Sequence, residues 1–298
     1  MRARLSVIVS AACFATLGVL ASAAYHGGAT PLSLLTWRFV AAAVLMAGYQ
    51  ALKAPASLVV GRSDIARFAV LSATGYGAAS LCFFFGVQVA GAAVTTVLLY
   101  TYPAIVALIG WVFLKERLVP TRAAAIAVTF AGCALVAAPA PGENVRIAGV
   151  LLGLGAGAGY AAFTVLSHRW MDRRPRTVLM AYMFGFSAVI ACGAALATGT
   201  SLSVRGWTPV AWWALGTLVL VPTFAAVLLY LHGMSEMGAS RAALLSSLEP
   251  VFAIALASWL LGERLMPVQY AGCALVVAGV VLAEWVPRRG PVEGPAGV

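Results

Sequence analysis

The sequence is short of charge. Of 298 residues only 9% are Asp, Glu, Lys or Arg, and only nine are acidic, against 62% hydrophobic residues and a mean hydropathy of +0.97. That is too little polar surface to coat a soluble globule of this size, so most of the chain is expected to face lipid. The lack of acidic residues leaves a net charge of +10. In a water-soluble protein that charge would point to nucleic acid, but the nineteen Lys and Arg residues sit mostly in short gaps between apolar runs, the pattern of membrane-orientation signals. No nucleic-acid partner is expected. The cysteines, Cys13, Cys82, Cys133, Cys192 and Cys273, all lie inside apolar segments with no CxxC pair, which suggests neither a disulfide framework nor a zinc site. His26, His168 and His232 fall on separate predicted loops or span ends without metal-ligand spacing, so no metal and no cofactor is expected. There is no P-loop, no GxSxG elbow, no HExxH and no clustered Asp motif. Nucleotide-driven transport by this chain alone, and the commoner membrane hydrolase or prenyl-transfer chemistries, are therefore not indicated, and no enzymatic activity is expected.

What the sequence has instead is a series of apolar runs, each close to the ~20 residues that carry a helix across ~30 Å of hydrocarbon. Spans are predicted near 5–25, 32–51, 66–87, 92–114, 121–139, 147–167, 178–198, 208–231, 240–261 and 268–286. The gaps carry helix-breaking punctuation such as His26-Gly27-Gly28, Pro139-Ala140-Pro141-Gly142 and Arg173-Arg174-Pro175-Arg176. With the N-terminus inside, fifteen basic residues fall on the cytoplasmic side: Arg2, Arg4, Lys53, Arg62, Arg67, Lys115, Arg117, Arg122, Arg169, Arg173, Arg174, Arg176, Arg241, Arg288 and Arg289. Only Arg146, Arg205 and Arg264 fall outside, and Arg38 lies within a span. This bias predicts both termini in the cytoplasm. Met1-Arg2-Ala3-Arg4, an apolar run and Ala21-Ser22-Ala23 together resemble a cleavable signal peptide, but the repeat described next needs a first span to make its halves equal, so this segment is expected to stay as span 1. Pro287 to Val298 reads as a short polar tail.

Sliding the sequence against itself by 147 residues aligns Tyr102-Pro103 with Glu249-Pro250, and Lys115-Glu116-Arg117-Leu118-Val119-Pro120 with Gly262-Glu263-Arg264-Leu265-Met266-Pro267. From residue 86 to 132 there are fourteen identities, among them Gly86 with Gly233, Gly91 with Gly238, Leu98 with Leu245 and Gly132 with Gly279, where this composition would give roughly four by chance. Five spans per half is an odd number, so the second half must enter the membrane from the opposite side. The expected fold is an all-α membrane protein of ten transmembrane helices in two inverted five-helix repeats: residues 1–143 (spans 1 to 5), 144–289 (spans 6 to 10) and a cytoplasmic tail, 290–298. Inverted repeats are a recurrent architecture of secondary transporters, with the substrate site between the halves; the plainer reading is that duplication merely built a stable bundle.

Ten spans in two repeats, each with a Pro-containing fourth helix, a Glu at its end, a Pro four residues later and a fifth helix rich in small residues, resembles the drug/metabolite transporter superfamily, specifically its EamA-like members. Glu116 with Pro120, Glu249-Pro250 and Glu263 with Pro267 carry the resemblance most specifically. It implies export of a small metabolite, an amino acid or related compound, across a bacterial inner membrane by a multi-pass protein, monomer or homodimer. Spans 1 to 4 and 6 to 9 would surround a central cavity, with spans 5 and 10 peripheral. The alternative is a non-transporting membrane protein, an enzyme with an unrecognised site or a structural or sensor protein on the same bundle.

Six residues are candidates for substrate binding or coupling: Trp37, Arg38, Tyr100, Tyr102, Ser246 and Glu249. Arg38, in Thr36-Trp37-Arg38-Phe39, is a charge inside a span and should face the interior, either binding an anionic group or bridging helices near the outer leaflet. Glu249 is placed near the middle of span 9 with Pro250 behind it, where it either loads and releases a proton or plays a structural part, pairing with Arg38 or accepting from freed backbone donors. Tyr100 and Tyr102 either stack on a substrate or pack, and Ser246 shares their depth on the equivalent helix. Gly153, Gly155, Gly157 and Gly159 in span 6 allow close approach or flexing. Small residues at four-residue spacing, Ala127 with Ala131 and Ala274 with Ala278, permit close helix contact in spans 5 and 10. Trp207, Trp212, Trp213 and Trp285 suit an interfacial aromatic belt.

Overall fold

A backbone N–H or C=O left unpaired in hydrocarbon costs several kcal/mol, so a chain this apolar has only helices or a closed barrel open to it. The computed structural model, which describes residues 2–113, 120–136, 147–170, 174–261 and 266–284, takes the helical solution, with no strand among the described residues. In the first half α1 (Arg2–Phe14) and α2 (Leu17–His26) form one rod, followed by α3 (Pro31–Lys53) and α4 (Arg62–Val70). A π-helical turn, Leu71–Tyr76, joins α4 to α5 (Gly77–Leu99), and α6 (Tyr102–Phe113) and α7 (Pro120–Val136) follow. In the second half α8 (Ile147–Trp170), α9 (Arg176–Ala197) and α10 (Pro209–Leu218) lead through a π-helical turn, Val219–Ala225, into α11 (Ala226–Met237). The chain then continues as α12 (Ala239–Ser246), α13 (Glu249–Leu261) and α14 (Pro267–Glu284). Local chemistry sets these limits. At the start of α3, for instance, Thr30 accepts from the Ser33 N–H in a capping box, and Pro31 occupies the first turn, where its missing N–H has no cost.

Among the described residues, six stretches are long and apolar enough to cross a membrane: Arg2–His26, Pro31–Lys53, Arg62–Gly91, Ile147–Trp170, Arg176–Ala197 and Pro209–Met237. The runs predicted as single spans near 92–114 and 240–261 are each split in two. The chain leaves α5 at Leu99 and re-enters a helix at Tyr102, and it leaves α12 at Ser246 and re-enters at Glu249. The cause is proline. Pro103 and Pro250 cannot donate to the carbonyls four residues back, at Leu99 and Ser246, and a helix stops where its ladder loses a rung. Glu116, Arg117, Glu263, Arg264, Trp285 and the tail lie outside the described residues.

The 147-residue offset found in the sequence recurs in the conformation. Gly91 (φ 81, ψ 164) and Gly238 (φ 88, ψ 159) adopt the same left-handed turn, which only glycine takes without strain. The two π-helical turns correspond, as do the two interrupted helices. Packing repeats as well. α5 lies along α8 as α11 lies along α1, while α3 with α9 and α7 with α14 are pairs that map onto themselves. Each half therefore completes the other. Polar bridges cross the seam: the Ser10 hydroxyl donates to the Ala226 carbonyl at 2.7 Å, and Ser72 donates to the Met183 carbonyl at 2.9 Å while lying 2.6 Å from the Ser187 hydroxyl. At the end of the bundle that carries most of the described basic residues, Asp64 holds Arg67 at 3.1 Å and Arg174 at 2.9 Å, and Thr177 donates to Gln50 at 2.6 Å.

The glycine run of α8 serves close approach. The helix is unbroken, and a side chain at Gly159 would come within 2.9 Å of the Ala79 backbone nitrogen on α5. The small-residue stripes are another matter. Ala127, Ala131, Ala274 and Ala278 are exposed, whereas α7 and α14 meet through Gly132, Thr129, Val276 and Gly279. A Cβ at Gly132 would lie 2.6 Å from the Val276 nitrogen. Gly132→Val should therefore destabilise the protein by about 1–3 kcal/mol through overpacking, whereas Gly185→Ala, with nothing within 4 Å of the added carbon, should be neutral or stabilising. Thermal unfolding of the two variants in detergent checks the contrast; equal melting temperatures would contradict it.

Candidate functional site

A guanidinium taken out of water needs its donors filled, and the structure fills two of the three nitrogens of Arg38, one from each half. Arg38 enters from α3 and is 1% exposed. Its Nε donates to the Thr223 hydroxyl on the second π-helical turn, and Nη2 donates to the Tyr76 hydroxyl on the first at 2.9 Å. Thr223 and Tyr76 are 147 residues apart, so the two repeats hold this one cation by equivalent positions. Aromatic faces supply further stabilisation: the guanidinium carbon lies 5.2 Å from the ring centroids of both Phe39 and Phe84. The third nitrogen, Nη1, is buried and has no hydrogen-bond partner.

Across from it stands Glu249, 7% exposed, at the first residue of α13. The sequence placed this carboxylate mid-helix. The break before Pro250 puts it instead at a helix N-terminus, where the field of the aligned peptide dipoles favours negative charge. Tyr100 is among the side chains that interact with it. Arg38 and Glu249 face one cavity, yet no ion pair joins them among the described residues. Of the alternatives open for Glu249, a direct pair with Arg38 is not seen in this form, in which Thr223 and Tyr76 accept from the guanidinium.

The cavity has a volume of about 40 Å³, enough to admit water. Phe14, Leu17, Phe83, Phe84, Leu99 and Tyr160 form its apolar wall, and Arg38, Tyr76, Ser80, Tyr102 and Glu249 its polar points. Tyr160 is the hub of the aromatic packing, with its ring centroid 4.8 Å from that of Tyr102, 5.3 Å from Phe163 and 6.0 Å from Tyr230. Lining groups come from α1, α2, α3, α5, α8, the first π-helical turn and the two helix breaks, so the site is assembled from both repeats.

Of the six residues chosen from sequence, Arg38, Tyr102 and Glu249 line this cavity. Tyr102 is buried and its hydroxyl donates to the Ala243 carbonyl on α12 at 2.9 Å, tying the break of one repeat to the broken helix of the other. Tyr100 and Ser246 are buried just behind it. Trp37 lies elsewhere, 39% exposed, with its indole N–H donating to the Leu202 carbonyl at 2.9 Å. Sequence reasoning missed Tyr76, Thr223, Phe84 and Tyr160. Two of these carried a signal that could have been read: Tyr76 sits between Gly75 and Gly77, and Thr223 follows Pro222, each a backbone interruption inside an apolar run.

Comparison with known proteins accords with this architecture. The chain is 32% identical over 213 residues to the uncharacterized transporter YwfM of Bacillus subtilis, covering 70% of this chain and 69% of the relative. It is 27% identical over 179 residues to a "Probable amino-acid metabolite efflux pump" of Salmonella typhimurium, covering 56% of this chain and 59% of the relative. A crystal structure superposes with a TM-score of 0.79 over 96% of this chain and 99% of the other at 19% identity, which establishes a shared fold. The model of the EamA-like transporter family matches twice, at residues 1–138 and 147–285, so the duplication seen in the residues, in the turns and in the packing is the family's own, and the chain belongs to the EamA-like transporter family.

Proposed function

We propose that this protein is a secondary transporter of the drug/metabolite type that exports a small metabolite, such as an amino acid or related compound, across the bacterial inner membrane by alternating access. The observation that carries the reading is the cavity between the repeats, lined by Arg38, whose Nη1 has no partner, and by Glu249. Discontinuous helices whose ends point into such a cavity are a recurring device for binding charged substrates at mid-membrane. In this form the cavity is too small for a metabolite, so binding requires the halves to part. The relative from Salmonella typhimurium named as an amino-acid metabolite efflux pump supports the substrate class.

In the proposed topology ten helices cross the membrane in two inverted repeats, residues 1–143 and 144–289, with both termini and the tail 290–298 in the cytoplasm. The six long spans supply most of the crossings; α6, α7, the α12–α13 pair and α14 supply the rest together with flanking residues. Reporter fusions after residues 56, 142, 172, 203 and 298 test it. The expected sides are inside, outside, inside, outside and inside, and a reversal at any one would remove the inverted arrangement.

Function is tested by counterflow of labelled amino acids and organic cations into proteoliposomes without nucleotide. Saturable uptake is expected for at least one compound. Arg38→Ala should reduce it by about tenfold or more, the worth of one charge-assisted hydrogen bond, and Glu249→Gln should reduce it too, with both variants retaining the wild-type elution profile. Absence of flux for the whole panel would move the balance to a non-transporting membrane protein.

A further inference from the structure

The hydrogen bonds around Arg38 have a direction, and the direction leaves a site. Pro222 has no N–H, so the Leu218 carbonyl four residues earlier loses its α-helical partner, and the Thr223 hydroxyl donates to it at 2.6 Å. With its proton committed there, Thr223 meets Arg38 only as an acceptor and fixes the Nε edge of the guanidinium. Tyr76 accepts from Nη2 at 2.9 Å, which leaves its own proton to give. Among the described residues no acceptor is recorded for that proton, and the Tyr76 side chain lines the cavity. Nη1, buried and unfilled, completes the pair.

We propose that Nη1 of Arg38 and the hydroxyl of Tyr76 form a two-donor subsite for a single carboxylate of the transported molecule, with Thr223 as the residue that positions Arg38. This rests on the transporter reading and gives its substrate a chemical class: a small monocarboxylate with an apolar body. Two features set the class. Arg38 is the sole cationic side chain among the cavity's lining residues and shares the cavity with Glu249, so a dianion such as a phosphate ester would bring charge that nothing there neutralises. Apart from the polar points at Ser80, Tyr102 and Glu249, the remaining wall, from Phe14, Phe83, Phe84 and Tyr160, is apolar and aromatic and suits a hydrocarbon or ring.

The test uses the purified full chain in two measurements, with leucine and phenylacetate as probes against their amides, leucinamide and phenylacetamide. Thermal shift in detergent reads binding, and counterflow in proteoliposomes reads half-saturation and maximal rate. At least one acid should raise the melting temperature while its amide does not. Tyr76→Phe, which deletes one donor to a charged group, should raise the half-saturating concentration about tenfold with little change in maximal rate. Thr223→Val should do the same by letting the guanidinium turn, and Thr223→Ser should restore the wild-type value. Equal binding of acids and amides, no binding by either acid, or an unchanged half-saturation in Tyr76→Phe would each overturn the subsite. Acid binding that follows this pattern without any flux would uphold the subsite and count against the transporter reading alone.

Discussion

Hydrocarbon offers a peptide group nothing to bond with, and the placement of every irregular segment in this protein follows from that. The chain can interrupt its helices only where protein, not lipid, surrounds the break. The two π-helical turns and the breaks at Tyr100–Thr101 and Ser247–Leu248 each turn buried residues toward the interior, with Ala73, Thr74 and Leu220 on the outer side of the turns, and side chains take up part of what the backbone gives up. Thr223 caps the Leu218 carbonyl, and Tyr102 and Ser247 both reach the Ala243 carbonyl. Interruptions confined to the interior converge on one another, and a cavity with polar points is what remains where they meet.

That cavity is symmetric in its frame and asymmetric in its chemistry. Positions 147 residues apart have the same backbone role, yet Arg38 corresponds to Gly185, Glu249 to Tyr102 and Phe83 to Tyr230. A duplicated frame supplies two equivalent hinges; divergence at a few lining positions turns a two-fold site into one with an electropositive side and an electronegative side. In the proposed reading a molecule bound between them would be oriented by charge, its anionic end at a guanidinium that each half grips by one hydrogen bond.

Much of the fold could be read without coordinates because its signals are repetitive. Apolar runs of uniform length, glycines at matched positions and paired prolines recur at a single offset, and each stands for one physical event, a crossing, a turn or a break. The site was less legible. Arg38 and Glu249 stood out because a charge in an apolar run demands a reason, and Tyr102 because it precedes a proline matched across the halves. Tyr160, Phe83 and Phe84 carry no such mark, since an aromatic ring in an apolar helix reads alike whether it faces lipid, a neighbour or a cavity. Trp37 shows the same difficulty in reverse. Successive residues of a helix are turned by about 100°, so the neighbour of the most buried cation in the cavity ends up half-exposed at a carbonyl of the α9–α10 connection.

The small volume of the cavity bears on how such a frame would work. About 40 Å³ admits water but not a metabolite, and the ring packing around Tyr160 closes it from one side while Phe84 and Arg38 close it from another. In the transporter reading, enlarging it by parting the π-helical turns acts on Arg38 directly, because Tyr76 and Thr223 stand on them and Arg38 links the two. Their separation would cost the guanidinium at least one hydrogen bond in the absence of a replacement. An anion arriving at Nη1 and Tyr76 is such a replacement, so within the transporter reading the empty protein is held closed by the same group that recognises the substrate, and substrate binding offsets the cost of opening.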